Sequence, residues 1–251
     1  MSSAHRAESD LHPATHGFEL AADAYERGRP DYPADAVAFL VERLDLRPGR
    51  TVVDLAAGTG KLTRLLVPTG ADVIAVEPIA AMRAKIGSAR VLDGTAEAIP
   101  LPDASVDAVT VAQAFHWFRA DVALREIHRV LRPGSGLALV WNVRDETDPV
   151  HAAVSSLLRP IERDVPRRHR RNWLEVVDES ALFTPAVRTT FAHEQLVDED
   201  GFVERFMSIS FVASAAPDVR ERIERELREI AREVGAPIRL PYVTEVYLAF
   251  S

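Results

Sequence analysis

Between residues 50 and 143, short apolar runs alternate with segments of helical period. Residues 51–55, 72–77, 89–93, 106–111 and 137–142 are Val-, Ile-, Leu- and Ala-rich and too short for helices, so they read as strands buried on both faces. Lys61-Leu62-Thr63-Arg64-Leu65-Leu66 follows the first with helical spacing. A longer helix is predicted behind Asp121 as its cap, with Val122, Leu124, Ile127, Val130 and Leu131 on one face. Strand and helix taking turns in this way predict an α/β fold with a parallel sheet and right-handed crossovers.

The flanks differ. Upstream, Phe18, Ala21, Ala22 and Tyr25 share one helical face, and Arg29-Pro30-Asp31-Tyr32-Pro33 must be extended, because proline disfavours helix in the residue before it. Helix resumes over 35–44 and ends before Pro48-Gly49. Downstream, a helix over 151–164 is interrupted at Pro160, and 172–179 is irregular or helical. Residues 187–195 alternate like a strand, 201–209 and 219–234 are helical, and 238–250 closes with alternation again. Two late strands joined by helices suit an antiparallel sheet edge.

The organising stretch is Val52-Val53-Asp54-Leu55-Ala56-Ala57-Gly58-Thr59-Gly60. Its glycines permit a tight turn and leave no Cβ between the loop and a ligand. In an open α/β sheet, ligands sit at the carboxyl end of such a strand. A dinucleotide fingerprint needs a third glycine where Thr63 stands, and the spacing of a Walker loop is missing. One strand–helix–strand step later, Glu77 closes the second strand, where an acid accepts hydrogen bonds from ribose hydroxyls.

The stretch resembles the first motif of class I S-adenosylmethionine-dependent methyltransferases. Val76-Glu77-Pro78 resembles the acid that follows their second strand, and Gly94-Thr95-Ala96-Glu97-Ala98-Ile99-Pro100-Leu101-Pro102-Asp103 their adenine-side loop. The resemblance covers roughly residues 18–143. Gln113-Ala114-Phe115-His116-Trp117-Phe118, with Tyr25 to Pro33 upstream, is most similar to small-molecule enzymes of the trans-aconitate methyltransferase type. The resemblance implies a Rossmann-like, seven-stranded, mostly parallel sheet with an antiparallel edge and a helical cap. It also implies S-adenosylmethionine as cofactor and a small-molecule methyl acceptor. The expected organisation is a disordered tail over 1–17, then one methyltransferase domain over 18–251 with cap insertions near 148–183 and 199–236.

On the same resemblance, the cofactor is expected against Asp54, Ala56, Gly58, Gly60, Glu77, Pro78, Met82, Thr95, Ala96 and Gln113, beneath a lead-in carrying Tyr25, Arg29 and Tyr32. Several roles stay open. Asp54 serves the cofactor's amino end through the loop or a water, or else caps a helix. Met82 lies against adenine or fills the core. Thr95 stands where relatives often carry Asp, which leaves the Ala96 N–H as the donor to the ring. His116 is the general-base candidate, since an imidazole titrates near neutrality; otherwise it orients substrate or packs beside Trp117. Two further readings are a nicotinamide-dependent oxidoreductase and a protein that keeps the pocket without transferring methyl.

Composition narrows this. The 251-residue chain is 47% hydrophobic with a formal net charge of −8, enough for a full core and against general nucleic-acid binding. It has no cysteine, which excludes disulfides, thiolate metal sites and a cysteine nucleophile. No apolar run is long enough for a leader or a membrane span, so a cytoplasmic monomer or homodimer is expected. Asn142, Asp145 and Asp148 suggest a cation, but two of the acids share one short loop and no metal is assigned. The basic run 167–171 is either a solvated loop or a site for an acidic substrate.

Overall fold

A computed structural model of the chain describes residues 28–87, 89–162 and 172–251. The expected tail over 1–17, Tyr25 and the basic run 167–171 lie outside the described residues. One sheet contains β1 (Thr51–Leu55), β2 (Asp72–Val76), β3 (Arg90–Leu92), β4 (Val106–Ala112), β5 (Leu131–Arg144), β6 (Val187–Val197) and β7 (Ile238–Phe250). Their order is β3-β2-β1-β4-β5-β7-β6. Strands β1 to β5 pair in parallel, and β7 inserts antiparallel between β5 and β6. The chain leaves β1 towards β2 and later returns to its other side as β4, so a crevice opens at the carboxyl end of β1.

The continuous apolar runs are explained by what each face meets. Along β1, Val52 enters one core while Val53 and Leu55 enter the other; along β5, Ala138 and Val140 part from Leu137 and Leu139. Helices α1 (Ala34–Arg43) and α2 (Lys61–Leu66) cover the first side through Leu40, Leu62 and Leu66. The one-turn α3 (Ala80–Arg83) follows β2, and the other side is covered by the longer α4 (Ala120–Val130), which buries Leu124, Ile127 and Val130. Each of these side chains contributes about 1.5–3 kcal/mol by leaving water.

Three local expectations change. Arg119, not Asp121, is the N-cap of α4; Asp121 sits inside the first turn and pairs with Arg125 at 2.9 Å. Pro78 lies before α3 rather than in its first turn, because the helix starts only at Ala80. Strand β5 begins at Leu131 instead of 137: it pairs with Val106 and then slips register against β4 before Gly136.

The later helices divide between two cores. α5 (Pro149–Leu158), α7 (Glu199–Met207), α8 (Ser210–Ala213) and α9 (Pro217–Val234) build a separate cluster with Phe202, Phe206, Ile223 and Leu227. That cluster rests on Tyr242, at the last rung of the β5–β7 ladder, and on Ile238 and Leu240, where β7 and β6 run on beyond β5. By contrast α6 (Trp173–Glu179) joins the main core, with Trp173 stacked on Trp141 at 5.6 Å. Among the described residues, no helix is long and apolar enough to cross a membrane.

Candidate active site

The loop after β1 is held in an unusual backbone path. Ala56 has φ +54°, Gly58 φ +59° and Gly60 φ +83°, the last being the N-cap of α2. Only glycine adopts the left-handed region freely, so Ala56 carries a local cost of about 1–2 kcal/mol. A Cβ on Gly60 would also press Ile86 at 3.3 Å. Met82 is buried under the loop, its sulfur 3.7 Å from where a Gly58 Cβ would stand.

Glu77 ties this loop to the second strand. One carboxylate oxygen accepts the Gly58 N–H and the other the Ile79 N–H, each at 2.9 Å. Burial pushes its pKa up to about 7, although both amides and the nearby Arg83 favour the ionised form. Arg83 clamps the same turn, donating to the carbonyls of Glu77 at 2.8 Å and Pro78 at 2.6 Å and pairing with Asp93 at 3.0 Å. Nothing in the sequence pattern singled out Arg83, since its partners come from two different strand ends.

Asp54 is buried and turned inward. It accepts the hydroxyls of Thr63 at 2.6 Å and Thr110 at 3.3 Å, which joins β1 to α2 and β4. Burial raises its pKa to about 6. Any service to a bound molecule therefore runs through the loop. Thr95 forms a small bridge with Ala98, and the Ala96 side chain is in the main core.

An open cleft lies in front of the loop, at the carboxyl ends of the central strands. Its walls include Ala56, Gly58, Thr59, Gln113 and Asn142, closed over by Arg29 and Tyr32. Lys61 lines it too and pairs with Asp31 of the lead-in at 2.9 Å. The Thr59 hydroxyl is buried there without a hydrogen-bond partner. Gln113, at the tip of β4, sits at φ +60° with its N–H held by the Val140 carbonyl at 2.8 Å. A left-handed glutamine facing a cleft is the kind of stored strain found at working sites.

His116 stands beside Trp117, its ring 5.2 Å from the indole. It sits in a short turn at Phe115–Trp117, its Nδ1 accepting the Trp141 indole N–H at 3.4 Å; like Glu77, Pro78, Met82, Thr95 and Ala96, it is not among the residues that line this cleft. Asn142, Asp145 and Asp148 each have hydrogen-bond partners of their own. Asn142 donates to the carbonyls of Pro30 and Asp31 and accepts the Thr244 hydroxyl; Asp145 accepts Thr147; Asp148 caps α5.

Two cleft features escaped the sequence reading. Asn142 fastens the lead-in, and Arg205 reaches in from α7. Gly28 permits that closure, for a Cβ there would fall 2.9 Å from the Arg205 backbone. The signal for Arg205 was an arginine on the same helical face as Phe202, Val203 and Phe206, all of them buried.

Comparisons with known proteins agree with this geometry. Residues 53–139 match the model of a methyltransferase domain family. An uncharacterised methyltransferase of Mycobacterium tuberculosis is 45% identical over 184 residues, 66% of this chain and 73% of that protein. A methyltransferase-like protein of Schizosaccharomyces pombe is 33% identical over 215 residues, 84% of each. A solved structure from Anaeromyxobacter dehalogenans, proposed as a type II methyltransferase, superposes with a TM-score of 0.61 at 26% identity, covering 89% of this chain and 97% of that one. With the seven-stranded sheet, the glycine loop and the Glu77 tip already in place, these relatives show that the chain belongs to the class I S-adenosylmethionine-dependent methyltransferases.

Proposed function

We propose that the protein transfers a methyl group from S-adenosylmethionine to a small organic acceptor bearing an oxygen, nitrogen or carbon nucleophile. Family membership sets aside the nicotinamide alternative. The acceptor class rests on an acidic chain, which disfavours nucleic acid, and on a cleft roofed by the lead-in at Arg29 and Tyr32. The same reading has the enzyme working in the cytoplasm as a monomer or homodimer.

The observation that carries the cofactor assignment is Glu77. Each of its oxygens accepts one backbone N–H, which leaves each a second lone pair for a ribose hydroxyl. The donor set fits the cofactor further: Gly58 offers an amide surface without a Cβ, and Thr59 an unclaimed hydroxyl. In this reading Met82 and the loop at Pro78, Thr95 and Ala96 flank the base, while Ala56, Gly60, Gln113 and Arg29 enclose the amino-acid end. Asp54 keeps the loop in shape.

When bound, S-adenosylmethionine supplies an electrophilic methyl group on a sulfonium. The protein's task is to hold a nucleophile in line with it and keep water away; such alignment is worth up to about 7–11 kcal/mol. Arg29, Tyr32 and Asn142 close the cleft for that purpose. With His116 turned towards Trp141, the catalytic role assigned to it is replaced in this reading by positioning of the wall behind the acceptor.

Calorimetry with S-adenosylhomocysteine and NAD tests the reading. Micromolar binding of the first alone is expected, together with enzyme-dependent passage of isotope from methyl-labelled S-adenosylmethionine into a small-molecule extract. Absence of homocysteine-product binding rejects it.

A further inference from the structure

One side chain in the cleft has chemistry the cofactor assignment does not use. Arg205 is only 5% exposed, yet it lines the same cleft as Gly58 and Gln113. Its Nε donates to the Tyr242 hydroxyl at 2.8 Å, and the guanidinium lies over the rings of Phe206 at 5.3 Å and Tyr242 at 5.6 Å. Its Nη1 is buried with no hydrogen-bond partner. Among the described residues, no carboxylate forms an ion pair with it. A guanidinium keeps its charge at any physiological pH, and a buried charge without a counter-ion costs several kcal/mol. A second arginine sharpens the imbalance. Arg144 lies across the β5–β7 ladder opposite Tyr242, and its Nη1 is also buried without a partner. Only its other arm is paired, with Glu146 at 3.2 Å. Among the described residues, Arg205 is therefore the one of these two neighbouring arginines left without a carboxylate of its own.

Position decides what the charge is for. The Glu77 and Gly58 clamp belongs to β1 and β2, whereas Arg205 stands over Tyr242 on β7. Between β1 and β7 lie β4 and β5, three ladder steps or about 14 Å. The guanidinium thus forms the wall opposite the cofactor clamp. It is also preorganised: the Tyr242 hydroxyl fixes Nε, the two rings fix the plane, and the free edge is what remains for a ligand. A fork held this way suits the paired oxygens of a carboxylate or phosphate.

We infer that the methyl acceptor carries an anionic oxygen group, carboxylate or phosphate, which Arg205 grips from the cap while the nucleophile faces the Gly58–Gln113 side of the cleft. The inference rests on the methyltransferase reading of that cleft and names the class of molecule it takes.

The test uses the full chain saturated with S-adenosylhomocysteine and titrated with malonate, inorganic phosphate and neutral malonamide, followed by thermal shift and calorimetry. The wild type should bind malonate or phosphate saturably, and malonamide not at all; which anion binds tells carboxylate from phosphate. Arg205→Met should weaken that anion by about tenfold or more, the loss expected for a hydrogen bond to a charged group, with S-adenosylhomocysteine affinity within twofold of wild type. Tyr242→Phe, which keeps the ring and removes the hydroxyl that aims Nε, should weaken the anion several-fold and serves if Arg205→Met does not fold. Equal anion binding by wild type and variants overturns the inference. So does a loss of S-adenosylhomocysteine binding in Arg205→Met, because the guanidinium would then serve the cofactor. Failure of the wild type to bind S-adenosylhomocysteine instead rejects the underlying methyltransferase reading.

Discussion

Replacing Glu77 with alanine should separate the protein's stability from its hold on the cofactor. In the fold, burial lifts this carboxyl from an ordinary 4.5 to about 7, so keeping it ionised costs the folded chain about 3 kcal/mol. Alanine removes that cost but deprives the Gly58 and Ile79 amides, the first part-buried and the second buried, of their acceptor. Each orphaned amide costs about 1–3 kcal/mol. The two effects are opposed and of similar size, so the net change is of order 1 kcal/mol and the melting temperature moves by roughly 2–4 °C. Cofactor binding has no such compensation. Two ribose hydroxyls lose a charged acceptor, at about 1.5–3 kcal/mol each, which weakens affinity roughly a hundredfold or more. Circular-dichroism melts and titration calorimetry with S-adenosylhomocysteine read the two quantities separately. A folded variant that binds within threefold of the wild type would refute the role given to Glu77.

Other outcomes follow from the same geometry. Ribose hydroxyls donate to the ionised form of Glu77, so protonation competes with binding; with a pKa of about 7, S-adenosylhomocysteine should bind about tenfold more weakly at pH 6 than at pH 8, and Glu77→Gln should flatten that profile in calorimetry. Asp54 has its pKa raised from 3.8 to about 6, so the unfolded chain gives up this proton first and the wild type loses stability as pH rises from about 4 through 6. Asp54→Asn lacks that loss, and its denaturant-measured stability relative to wild type should improve by about 3 kcal/mol between pH 4 and pH 8; a pH-independent difference contradicts the buried charge. Gln113→Gly relieves a left-handed residue and should raise the urea midpoint by the equivalent of about 1 kcal/mol while methyl transfer falls. Phe206→Ala should cost about 3–5 kcal/mol in equilibrium unfolding, since the ring is fully buried in the cap core.

Much of the scaffold was legible because its signals are local. A strand buried on both faces needs a mostly apolar run, and residues 51–55, 72–76 and 106–112 carry one, interrupted beyond their first residues only at Asp54, Asp107 and Thr110. A loop crossing left-handed space needs glycine, and Gly58 and Gly60 supply it where the ligand crevice opens. Boundaries that depend on distant partners were less legible. The extension of β5 to Leu131 is set by a register slip against β4, and the first turn of α4 is met by Glu97 accepting the Arg119 N–H at 2.9 Å, from 22 residues upstream.

The sequence by itself determined the α/β order, the antiparallel closing strand, the glycine loop and the acid at the second strand's tip, because each depends on residues within one strand–helix step. Only the tertiary structure decided which side chains share the cleft. Asp54 turned inward to two threonines, His116 towards Trp141, and Arg205 into the space left over, where it meets Tyr242 from 37 residues away. A side chain's direction in a crevice depends on helices and strands that meet only after folding. Periodicity specifies the face each residue occupies; the neighbour across the gap is specified by how those faces close on one another.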